Sequence, residues 1–228
     1  MISIENVQVV GWEAALRGMR NPMNSWERAD SQFSKSGEAD IGCNDKMLAE
    51  KLAAGGSVHA KYRRMIVVYA DITAPLYWWK EADTYKVGTV ANSCSTMHKI
   101  HEKEFTLDDF SHEHLYLNPV LCNIGNTIAI LNKWRTLFNY TDKEREDYFN
   151  QNGHPAVLSK KDCWWQMIQL LPSSYNQRRT VMLNYEVLAG MYRSRKDHKL
   201  DEWRDFCLWI ENLPYAELIT MTGGRDSV

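Results

Sequence analysis

Gly88, Thr89, Asn92, Ser93, Cys94, Ser95 and Thr96 crowd the stretch that follows Lys86. Small hydrogen-bonding residues make a poor core and a good seat for a polar ligand. Cys94 or Ser95, with His98 close behind, pairs a nucleophile with a base, but no Asp or Asn announces itself as an orienting third member. The plainer alternative is an ordinary strand–helix–loop unit ending in a Ser/Thr-rich turn. A second concentration is basic: Arg178, Arg179, Arg193, Arg195, Lys196, Lys199 and Arg204 crowd the last third of the chain. Arg193 and Arg195 leave the end of an apolar helix, where a guanidinium can clamp a phosphate or carboxylate through two parallel hydrogen bonds. Against this stands a solvated face, since cations are favoured at a helix C-terminus anyway. His98, His101, His112 and His114, with Cys94 nearby, are zinc-type ligands, but their spacings match no standard site and no metal is expected.

The totals narrow the classes. A chain of 228 residues can bury the core of one domain, with or without an elaboration. A net charge of −2 gives no bulk-electrostatic case for nucleic acid. Mean hydropathy is −0.47, and no apolar run approaches the ~20 residues that span a bilayer. The start, MISIENVQVVGWE, lacks a basic-then-apolar signal, so a cytoplasmic protein without a membrane partner is expected. Cys43, Cys94, Cys122, Cys163 and Cys207 are odd in number and never form a C-x-x-C pair, which points to reduced thiols. Nine Trp and eleven Tyr supply stacking faces for a planar ligand or a subunit interface.

The elements that must position these residues follow from pattern. Ile2 to Val10 reads as a strand, with a short helix over Trp12–Met19. Asn44 can cap a helix over Asp45–Ala54, with Met47, Leu48, Lys51 and Leu52 at helical spacing and Gly55-Gly56 as its stop. Met65 to Ile72 reads as a strand buried on both faces or nearly so. Ala74-Pro75 suits the first turn of an aromatic helix containing Tyr77, Trp78 and Trp79. A helix over Pro119–Phe138 presents Leu121, Ile124, Ile128, Leu131 and Phe138 on one face, and Thr141 caps Asp142–Phe149. Residues 101–160 read as a helical insertion in a single domain spanning 1–228. Helices over Cys163–Leu170, Thr180–Arg193 and Asp201–Asn212 follow, and the tail from Thr222 reads as frayed.

The order of these pieces resembles the flavin-dependent thymidylate synthases, also called thymidylate synthase complementing proteins. Ala74-Pro75 stands at that family's Ala-Pro, and Glu81 at a glutamine that touches the nucleotide. Thr84-Tyr85-Lys86 occupies its Arg-His-Arg. Asn92 and Ser95-Thr96-Met97-His98 fall on its Asn and Ser-Gly-Arg-Tyr after one inserted residue. Leu171-Pro172, Asn184 and Arg195 match the C-terminal part, and His59 a histidine of a flavin-contacting loop. The resemblance implies an α/β (α+β) fold with a central mixed sheet flanked by helices. It also implies reductive methylation of dUMP at C5, a methyltransferase step of dTMP biosynthesis. FAD, NADPH and methylenetetrahydrofolate would take part, in a homotetramer.

On that resemblance Ser95 and Arg195 are the catalytic pair. Glu81, Ser95, Arg178 and Arg195 hold the pyrimidine deoxynucleotide, and Tyr85, Lys86, Asn92, Asn184 and His59 hold the flavin. The loop after Lys86 and the helix end at Arg195 are expected to meet across one cleft. The chain departs from the pattern at Thr84, Met97, Ile168 and Glu186, where the family has arginines, and at Tyr85, where it has a histidine; Gly190 replaces an asparagine. Each lost arginine removes a charge-assisted contact of about 1.5–3 kcal/mol, with Arg178, Arg179 and Arg193 as candidate replacements. Two alternatives stand beside the enzyme: a nucleotide-binding relative that has lost flavin and catalysis, and an unrelated helical interaction protein.

Overall fold

A computed structural model describes residues 2–35 and 37–221; the tail expected to fray from Thr222 lies outside them. In chain order the elements are β1 (Ser3–Val10), α1 (Trp12–Arg20), β2 (Gln32–Phe33), β3 (Ala39–Asp40), α2 (Cys43–Ala54), β4 (Val67–Pro75), α3 (Leu76–Ala82) and β5 (Val90–Ser93). Then come α4 (Thr96–Lys99), α5 (Asn118–Asn139), α6 (Asp142–Gln151), α7 (Lys160–Leu170), β6 (Asn176–Asn184), α8 (Tyr185–Arg195), α9 (Asp201–Glu211) and α10 (Glu217–Thr220). The fold is mixed α/β, as expected. The chain divides into two compact units: Ile2–Thr73, Lys80–Asn92 and the chain from Arg178 on, against Ala74–Trp79 and Ser93–Gln177.

The first unit is built on a sheet of order β1-β4-β6-β5. β1 and β4 run antiparallel, with Ser3 opposite Thr73 and Val10 opposite Val67, and a bulge interrupts them between Glu5 and Gln8. Val68, Ala70 and Ile72 are fully buried while Tyr69 between them is exposed. β4 therefore buries one face, not both, because its side chains alternate. Ala74 and Pro75 end this strand rather than opening the helix, so α3 starts one residue later than the proline suggests.

Two further readings are corrected. The stretch expected to be helical over Thr180–Arg193 is strand through Asn184 and helix from Tyr185. Val181 and Leu183 are buried two apart, and the Asn184 side chain accepts a hydrogen bond from Val187 N at 2.9 Å. That is an N-cap in the middle of an apolar run. Asn44 does not cap α2, which begins at Cys43. Its free N–H groups are satisfied by Asp30, whose carboxylate accepts from Asn44 N at 2.9 Å and Asp45 N at 3.0 Å. The buried face of α2 is Asp45, Ala49 and Ala53, and Met47 is exposed. Asp45, 2% exposed, accepts from Arg20 Nε at 2.6 Å, Ser31 Oγ at 2.6 Å, and the Asp30 and Ser31 amides at 3.1 Å each. This buried pair fastens the loop between α1 and α2.

The second unit contains the segment 101–160. Leu131 of α5 and Met167 of α7 share a core with Ile100, Phe105 and Phe110, against which Ile124, Ile128 and Phe138 pack. The expected α5 face is therefore the buried one. Thr141 caps α6 as expected, exchanging hydrogen bonds with Glu144, and Ser159 and Asp162 do the same for α7. Arg145 is buried and donates to the carbonyls of Leu137 and Tyr140 and to Asp142.

Candidate functional site

The clearest polar cluster of the first unit gathers at the C-terminal end of α8. Arg195, in its last turn, donates through Nη1 to Glu81 Oε2 and through Nε to Tyr85 Oη, both at 2.9 Å. Its guanidinium carbon lies 4.7 Å from the Trp203 ring centre and 5.6 Å from that of Tyr85. Glu81 Oε2 also accepts from Trp203 Nε1 at 2.9 Å, and His198 Nε2 stands 3.5 Å away. Helical spacing sets this geometry: Trp203 lies on the buried stripe of α9 with Phe206, Cys207 and Ile210. The Arg195 side chain is 19% exposed and that of Glu81 35%. A charged, planar, half-covered group flanked by aromatic rings is equipped to orient an anion beside a flat ligand.

Glu81, Tyr85 and Arg195, named from the sequence, thus come together, whereas Trp203 and His198 did not stand out as site residues. Trp203 reads as core from its spacing, and only its Nε1–H, which needs a polar partner when buried, could have signalled more. Asn184 joins through the loop: besides capping α8, its Nδ2 donates to Gly88 O at 3.5 Å. Gly88 has φ +77°, and a Cβ there would stand 2.5 Å from Asn184 Nδ2, so the loop's shape requires glycine. Lys86 is exposed and has no ion-pair partner among the described residues. Asn92 and His59 are exposed as well, and no hydrogen bond joins them to the cluster.

Arg178 lies elsewhere, on the sheet face, paired with Asp71 at 2.8 Å and Glu5 at 3.1 Å. Hydrogen bonds from Thr180, Asn6 and Arg178 hold the Asp71 carboxyl well below the usual range. Arg179 is paired with Asp83 at 2.7 Å. Ser95 belongs to the second unit, where its Oγ accepts from His98 N at 3.2 Å and caps α4. Gln177 Nε2 ties down the neighbouring loop, donating to Cys94 O at 3.1 Å and Thr96 Oγ1 at 3.0 Å. Cys163 and Cys207 are buried, and burial pushes both thiols up, that of Cys207 to about 11. Such thiols are packing groups rather than nucleophiles. Among the described residues no three His, Cys, Asp or Glu side chains gather as a metal site, and no helix is long and apolar enough to cross a membrane.

No protein-family model matches the chain, and no curated protein matches it in sequence. Solved structures do. The chain is similar to a crystal structure of thymidylate synthase X (ThyX) from Helicobacter pylori with FAD and dUMP, at a TM-score of 0.62 and 15% identity. That match covers 96% of this chain and 98% of the other. A second structure of flavin-dependent thymidylate synthase ThyX from Helicobacter pylori, complexed with FAD and dUMP, matches at TM-score 0.58 and 16% identity. There the coverage is 95% and 98%. At such identity the likeness establishes the fold: this chain is folded as those thymidylate synthases are, over almost its whole length.

Proposed function

We propose that the chain is a divergent flavin-dependent thymidylate synthase-like enzyme. It binds dUMP and carries out reductive methylation, or a related modification, at C5 with methylenetetrahydrofolate, FAD and NADPH. The observation that carries this reading is Arg195. A guanidinium has five N–H groups; two are engaged with Glu81 and Tyr85, and three remain for a ligand phosphate. The two rings beside it restrict its rotation, so little side-chain entropy is lost when an anion binds. The resemblance adds Ser95 as a nucleotide contact; Arg178, committed to Asp71 and Glu5, leaves that role to Arg195.

By the resemblance Tyr85, Lys86, Asn92 and His59 would hold FAD, with Lys86, exposed and without an ion-pair partner among the described residues, as the cation for its phosphates. Asn184 acts by holding the Gly88 turn. FAD, when bound, supplies the hydride. The chain's own residues bind, orient and shield the base, and no protein thiol is required.

A homo-oligomer, a homotetramer by the resemblance, is supported by α5 and the residues just before it. Residues 115–132 carry no charge, yet Tyr116, Leu117, Val120 and Ile130 are exposed.

A second reading, a nucleotide-binding relative without flavin, is favoured by one observation: Arg178 and Arg179 are paired internally and do not replace the arginines missing at Thr84 and Met97. Calorimetric titration with FAD and with dUMP separates the two. Heat from both, with a yellow protein on purification, supports the enzyme, and rescue of a thymidine auxotroph would establish the ordinary reaction. Heat from dUMP alone supports the relative. Heat from neither refutes both.

A further inference from the structure

We infer that Glu81 is a specificity-determining residue: an internal carboxylate that neutralises Arg195 and sets how strongly the site prefers a phosphorylated ligand. The inference rests on the reading above, in which Arg195 receives the nucleotide phosphate. Its ground is geometric. One carboxylate oxygen, Glu81 Oε2, collects Arg195 Nη1 and Trp203 Nε1 at 2.9 Å each, with His198 Nε2 at 3.5 Å. The pair carries no net charge, and any anion on the free N–H groups of Arg195 sits beside a fixed negative charge.

The glutamine expected at this position from the family pattern would offer the same acceptor oxygen without that charge. Glu81 therefore lowers the advantage of a phosphate over a hydroxyl. The site is matched to a pyrimidine nucleoside carrying one phosphate or none, and disfavours di- and triphosphates, whose added charge meets the same carboxylate. Two like charges about 5 Å apart near a protein surface repel enough to change binding by roughly a hundredfold. The partial exposure of both groups reduces this to about tenfold.

The test is calorimetry with dUMP and with deoxyuridine on the full-length protein, its Glu81→Gln variant and its Glu81→Ala variant, each checked for unchanged melting. Glu81→Gln keeps the acceptor for Arg195 and Trp203, and Glu81→Ala removes it. The expected result is that dUMP binds about tenfold tighter to Glu81→Gln while deoxyuridine stays within twofold. The ratio of the two affinities rises in Glu81→Ala as well. If dUMP is weakened by Arg195→Lys yet unmoved by both Glu81 changes, this inference is wrong and the reading of Arg195 stands. Equal tightening of both ligands overturns the inference in the same way. If dUMP binds to none of these proteins, the reading and the inference fall together.

Discussion

Replacing Gly88 with alanine probes how the candidate flavin loop is held. Two costs follow from the structure. An L-residue at φ +77° carries about 1 kcal/mol of backbone strain. The new Cβ, 2.5 Å from Asn184 Nδ2, must also push that side chain off its place. Asn184 is not free to yield, because its Oδ1 caps α8 at Val187 N, and loss of such a cap costs about 1 kcal/mol. Gly88→Ala therefore loses about 2 kcal/mol, and Asn184→Ala alone about 1. The double variant should also lose about 2 rather than 3, since the cap can be lost only once. Urea unfolding of all four proteins reads this directly. At a slope of about 2 kcal/mol per molar, the Gly88→Ala midpoint falls by about 1 M and the double variant unfolds with it. Strict additivity, with the double variant about 0.5 M lower still, would refute the claim that Gly88 is required because of Asn184.

Three further outcomes are expected. Asp45→Asn breaks a buried pair and should cost about 3–5 kcal/mol by chemical denaturation. Burial pushes the Asp45 carboxyl up, but hydrogen bonds from Ser31 and Arg20 outweigh this and hold it below its ordinary value. Its stabilising contribution is therefore full above about pH 4 and is lost as pH falls through the lowered folded-state value. The variant's stability should accordingly fall less steeply than wild type in acid; equal acid slopes would sink this account. Arg195→Lys keeps the charge but loses the fork and the stacking on Trp203, so dUMP should bind tenfold to a hundredfold more weakly by calorimetry. Unchanged affinity would remove Arg195 from the site. Lys86→Gln should weaken FAD by about tenfold or more, read from the flavin retained after gel filtration, while dUMP affinity stays the same.

How much of this was legible in advance differs by element. Helix α5 and the Asp201 helix are written in periodicity, because each buries one face and periodicity is the record of burial; β1 is legible only as a loose alternation, since none of its residues is fully buried. Thr141 before Asp142 announces its helix, since the cap lies within four residues of what it caps. Arg195 also stood out locally, as a cation at the end of an apolar helix. The stretch around Val181 did not, because a short apolar run fits strand and helix alike, and only pairing within the sheet decided between them. The start of α2 depends on Asp30, over a dozen residues upstream, whose approach no local rule foretells.

The composition and local order of this chain thus determined its class, most of its helices and the residue types able to hold a nucleotide. Tertiary structure alone decided how those residues are used. Glu81, Tyr85, Arg195 and Trp203 lie up to 122 positions apart along the chain, and whether a charge meets a ligand or another charge depends on distance in space. Arg178 and Arg195 look alike in the sequence. Folding pairs both with carboxylates, Arg178 with Asp71 and Glu5 on the sheet face and Arg195 with Glu81, but it also sets Arg195 beside the rings of Tyr85 and Trp203.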